Sequence, residues 1–176
     1  MVLPIVSEAL NECPVDRAVY HLQSGIDPET GPKFTAGFAR QDPRKAERYD
    51  LVFWLKTPKR TWFFSFSEPD RHDGAFITPD IDPKRAAQMS DWDLENPYDD
   101  RFDPPQPVEF DTFSPELYAW RVPALVNPPP ALIFARGLSR ELWHHPRRLA
   151  GGDHRAEQES MPLGLFVLSE CAPAPH

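Results

Sequence analysis

Proline constrains this chain more than any other residue: there are 22 in 176 positions, against only eight glycines. That is about 12% of the chain, more than twice the roughly 5% average. Each proline fixes its own φ and removes a backbone donor. Such a chain cannot form many long helices, and short elements with stiff connections are expected.

The apolar pattern says which short elements. Tyr49 to Lys56 and Arg60 to Ser67 are aromatic and β-branched runs joined by Thr57-Pro58-Lys59, which is a hairpin signature. Tyr49, Leu51, Phe53 and Leu55 share one face, and so do Trp62, Phe64 and Phe66. The opposite faces hold Val52, Trp54 and Phe63, so two-sided burial is expected. Ala18 to Gln23 and Lys33 to Arg40 read as an earlier strand pair around the turn Asp27-Pro28-Glu29-Thr30-Gly31. Gly74 to Ile81, Val108 to Phe113, Ala131 to Ala135 and Gly164 to Ser169 read as further strands. Pro115 to Val122 alternates and also reads as a strand, although Ser114-Pro115-Glu116 would start a helix well.

Helices are expected only where a cap precedes a short run. These are one turn after Asp42-Pro43, about two turns from Asp82-Pro83 to Met89, and a short helix capped by Ser139 that Pro146 ends or kinks. The expectation is a β-rich α+β fold in a single globular domain over residues 1–176. Its about eight or nine short strands form an antiparallel barrel or a two-sheet sandwich, with up to three short helices. An acidic, Pro-rich surface loop is expected at 90–107 and a flexible basic loop at 146–162. The sequence resolves neither strand order nor oligomeric state.

Charge is unevenly spread. The formal net is -8, and 14 acidic residues against 4 basic ones lie between Glu68 and Glu116. Such an acidic stretch disfavours direct nucleic-acid binding, which needs clustered Lys and Arg. It suits a basic protein partner, cation binding or simple solvation. The first residues carry Glu8 and Glu12 and no basic n-region, and no apolar run is long enough to cross a membrane. The expected compartment is cytoplasmic, with no membrane association, and Cys13 and Cys171 are expected as thiols. Export by another route would instead let them bridge.

Candidate chemistry is sparse. His144 and His145 adjoin, with His154 nearby in sequence, but neighbours on a helix point about 100° apart and lack the i, i+4 spacing of a metal pair. His72-Asp73 precedes Gly74 in what reads as a turn. Asp91-x-Asp93-x-Glu95 begins like a calcium loop, but the required Gly and Glu positions hold Asn96 and Phe102. A looser oxygen site from Asp91, Asp93, Asp99 and Asp100 is the alternative to a solvated loop. No C-x-x-C, G-x-G-x-x-G, P-loop or G-x-S-x-G is present. No metal and no cofactor are expected. Arg136, Arg140, Arg147, Arg148 and Arg155 form a basic region that suits a phosphate or carboxylate, or pairing with the chain's own acidic segment.

Three functions follow from these residues. The first is a non-enzymatic protein-binding module of inhibitor, immunity or adaptor type. Its acidic loop would bind through Trp92, Tyr98, Asp91, Asp93, Asp99, Asp100 and Phe102, since aromatic anchors on a stiff loop lose little entropy. The second is a small enzyme using His72, Asp73, His144 and His145 as acids, bases or metal ligands. The third is a β-barrel holding a small apolar ligand in an aromatic cavity.

Overall fold

The computed structural model describes residues 10, 12–24, 33–45, 49–67, 75–91, 93, 107–120, 122–150, 153 and 155–173. Among these residues nine strands form one sheet: β1 (Ala18–Gln23), β2 (Thr35–Arg40), β3 (Leu51–Lys56), β4 (Thr61–Ser67), β5 (Ala75–Asp80), β6 (Val108–Phe113), β7 (Ala119–Trp120), β8 (Leu132–Arg136) and β9 (Leu165–Cys171). Strands β1 to β6 follow one another as an antiparallel meander, and β6 continues through β8 to β9. Pairing of β5 with β6 and of β9 with β1 leaves no open edge in this circuit. The result is an eight-stranded antiparallel closed barrel, which settles barrel against sandwich. The short β7 pairs with the far end of β6 and stands outside the ring.

Alternate side chains along the strands point into the barrel. Tyr20, Phe38, Phe53, Phe64, Phe110 and Phe166 are all fully buried. Phe110 lies 5.0 Å from Phe53 and 5.3 Å from Phe66, edge to face. Each such pair adds about 0.5–1.5 kcal/mol beyond the area it buries. An eight-stranded barrel is just wide enough to be filled by side chains, and here rings fill it. The buried Tyr20 hydroxyl donates to the Pro130 carbonyl at 2.9 Å.

The outer wall is also partly covered, as expected for Val52, Trp54 and Phe63. Val52 is fully buried. The Trp54 indole lies across Gly37: a Cβ there would sit 2.5 Å from Trp54 Cζ2 and 2.7 Å from the Ala18 carbonyl. Glycine at 37 is thus required by close approach.

Three short helices occur among the described residues: α1 (Pro83–Ala86), α2 (Leu138–His144) and α3 (Pro146–Leu149). Asp82 caps α1 as expected, accepting from the Lys84 amide. Ser139 does not cap α2: the helix starts one residue earlier, behind Gly137 at φ +86°. Pro146 ends α2 and opens α3, where its missing N–H costs nothing. Leu138, Leu142, Leu149, Ala156 and Met161 join the main core. Residues 146–162, expected as a flexible basic loop, thus supply a helix and several buried side chains. Within the stretch read as a strand, Pro115 to Tyr118 belong to a turn, which the two residues of β7 follow.

The cysteines require a correction. Cys13 and Cys171 are not thiols but a disulfide, with Cα atoms 5.8 Å apart across 158 residues of sequence. Barrel closure explains it. Ala18 pairs with Cys171 where β1 meets β9, and the 3₁₀ turn Val15–Arg17 leads from Cys13 into β1. Their separation along the chain hid this proximity.

Candidate functional site

The residues that best form a recognition surface lie along β6 and at its two ends. Val108, Phe110 and Thr112 point into the barrel, which turns Glu109, Asp111 and Phe113 outward. Arg136, opposite on β8, lies 3.1 Å from the Glu109 carboxylate and 3.9 Å from Asp111. These are exposed pairs, each contributing at most about 1 kcal/mol. At roughly 3.3 Å per residue, the strand separates its ends by about 17 Å.

At the far end, Ser114 to Tyr118 make a tight turn. The Ser114 amide donates to the Tyr118 carbonyl at 2.9 Å, and Leu117 N–H returns a bond to the Ser114 carbonyl at 3.0 Å. The buried Ser114 hydroxyl accepts from the Tyr118 amide at 3.2 Å. Closing this ring forces Leu117 to φ +65°, a left-handed conformation that costs a non-glycine residue about 1–2 kcal/mol. The turn displays two large apolar side chains to solvent, Leu117 at 50% and Tyr118 at 71% exposure.

The near end adjoins the acidic segment, whose start is bolted to the barrel by Arg44. Its guanidinium makes five hydrogen bonds: two to the Asp42 carboxylate and one each to the Ala86 carbonyl, the Met89 carbonyl and the Asp91 carboxylate. Asp42 is buried. The hydrogen bonds from Arg44 hold its carboxyl below the usual carboxylate range, and the same contacts raise Arg44. Asp91 and Asp93 are exposed. Asp93 accepts from the Ser90 hydroxyl at 2.7 Å while Asp91 binds Arg44, so each already has a partner.

Of the other residues singled out in the sequence, Trp92, Tyr98, Asp99, Asp100, Phe102, His72, Asp73 and His154 lie outside the described residues. His144 and His145 are exposed at the end of α2, with ring centres 6.1 Å apart. Among the described residues, no group of three or more His, Cys, Asp and Glu is placed to hold a metal. The arginines divide. Arg136 pairs with the acidic stretch through Glu109 and Asp111, whereas Arg148 and Arg140 pair with Glu141 on α2 at 2.6 and 3.6 Å.

Sequence reasoning missed Leu117 and Tyr118, because alternation over 115–122 suggested a strand. The contrary signal was Ser114-Pro115, a hydroxyl followed by a φ-fixed residue, which also starts turns. No family model matches the chain, and searches of curated proteins and of solved structures find no match.

Proposed function

We propose that the chain is a non-enzymatic protein-binding module whose partner presents a basic surface with an apolar recess. The observation that carries this reading is the rigid turn at the end of β6, which displays Leu117 and Tyr118 beside Glu116. A strained backbone held by three local hydrogen bonds is a costly way to expose two apolar side chains, and such strain clusters where function needs it. Tyrosine is among the residues most enriched at binding hot spots. Glu109 and Asp111 extend the surface toward the acidic aromatic segment 90–107, whose Trp92, Tyr98 and Phe102 are proposed to complete it. The span of about 17 Å along β6 fits within a standard footprint of about 800 Å² per partner. Net negative charge would speed encounter with a basic partner.

The enzyme reading draws less support, since His144 and His145 stand exposed on a helix end. The ligand-barrel reading draws less as well, since rings occupy the barrel axis. The disulfide bears on the compartment. Bridges persist where thiols are oxidised, so an oxidising compartment is proposed in place of the cytoplasm.

The test is quantitative capture by the wild-type chain and by the Leu117→Asn/Tyr118→Ser variant, both folded. A basic protein retained by the wild type and lost by the variant supports the reading. Identical retained sets overturn it.

A further inference from the structure

The β3–β4 hairpin is paired only near its turn. The register runs from Lys56↔Thr61 to Phe53↔Phe64, yet β3 extends back to Leu51 and β4 on to Ser67. Each strand keeps its other neighbour over this stretch: Leu51 pairs with Arg40 on β2, and Ser67 with Phe76 on β5. The two strands therefore part within an otherwise closed wall, and a cavity of about 320 Å³ opens between them. That volume is at the lower end of small-molecule sites.

The lining has two characters. Tyr49, Leu51 and Phe66 form an apolar floor, with Tyr49 and Phe66 in edge-to-face contact at 6.2 Å. Lys45, Ser65 and Ser67 form a polar rim. Among the described lining residues Lys45 is the charged group, and its ammonium is bound to the buried Asp80 carboxylate. Asp80 also accepts from the Gln41 amide at 3.0 Å and from the Ile81 amide at 2.7 Å. Asp80 thus accepts from three donors, one of them the Lys45 ammonium. An ammonium carries three N–H groups, so Lys45 keeps donors beyond its bond to Asp80. A donor-bearing rim over an aromatic floor selects an anion with an apolar body.

We propose that this cleft binds a small carboxylate carrying an aromatic or short aliphatic group. The carboxylate would sit on Lys45 and the Ser67 hydroxyl, and the apolar body on Tyr49 and Phe66. This site is separate from the proposed protein-contact face on β6 and does not depend on it.

The test is titration of the intact, disulfide-bonded protein with benzoate, benzamide and inorganic phosphate, followed by thermal unfolding and by calorimetry. Saturable stabilisation by benzoate in the millimolar range or tighter is expected, with weaker responses to benzamide, which lacks the charge, and to phosphate, which lacks the apolar body. Ser67→Phe fills the cleft and is expected to weaken benzoate at least tenfold. Lys45→Gln alone would leave Asp80 uncompensated, so Lys45→Gln/Asp80→Asn is the second variant. Losing the charge-assisted bond is expected to weaken benzoate by roughly tenfold or more. Benzoate affinity unchanged in both folded variants, equal binding of benzamide or phosphate, or no saturable response to benzoate would overturn the assignment.

Discussion

Arg44 donates to the Asp91 carboxylate at 3.0 Å across 47 residues of sequence. The same nitrogen holds the Met89 carbonyl at 2.9 Å, and the other end of the guanidinium holds Asp42. One side chain on the turn after β2 thereby fixes where the acidic segment leaves the barrel. Arginine suits this post because its planar fork serves several acceptors at once.

Arg44→Met should therefore lower the melting temperature, and the loss should depend on pH. Arg44 depresses the Asp42 carboxyl in the folded state. A depressed carboxyl stabilises the fold above its unfolded value near 3.9, and that contribution fades as pH falls through the folded value. The gap between wild type and Arg44→Met should thus be full at neutral pH and shrink in acid. Melting curves across an acid series check this; a gap constant with pH would refute it.

Reduction of the Cys13–Cys171 bridge opens a loop of 158 residues. On the chain-entropy account such a cross-link contributes about 5 kcal/mol. Urea unfolding of the Cys13→Ala/Cys171→Ala variant should show a loss of that order.

Glu159 is buried and accepts from the Thr57 hydroxyl at 2.7 Å and from the Trp62 indole at 3.1 Å. Its amide also donates to the Leu142 carbonyl, which ties the segment before β9 to α2. Glu159→Ala orphans the Trp62 indole N–H, while the Thr57 hydroxyl keeps the Arg60 carbonyl at 2.8 Å, and should cost about 1–3 kcal/mol. Glu159→Gln retains an acceptor and should cost less. Equal losses in chemical denaturation would mean that packing, not hydrogen bonding, is at stake.

Leu117→Asn separates folding from recognition. Asparagine tolerates the left-handed region far better than leucine, so the melting temperature should hold or rise while partner capture falls. A substantial drop in melting temperature would show that Leu117 serves the fold.

The strands were legible because each buries one face in a ring-filled barrel, so Leu51-Phe53-Leu55 and Trp62-Phe64-Phe66 carry the period of two openly. Barrel closure was not legible. It rests on β9 meeting β1 and β5 meeting β6, and alternation along one strand does not name its neighbour. The disulfide was hidden for the same reason. Ser114 to Tyr118 was misread because a turn held by backbone bonds leaves its side chains free to alternate by accident. Of the proposed face, the sequence marked the charge of Glu109, Asp111 and the acidic segment. It did not mark the apolar turn, since exposure is decided by the fold.

The measurement that bears most directly on the protein-contact reading is the binding isotherm of the captured basic partner with wild type and with Leu117→Asn/Tyr118→Ser, at low and high salt. The account predicts at least tenfold weaker binding by the variant, and weaker binding by both at high salt. Equal affinity of the two folded proteins would contradict it.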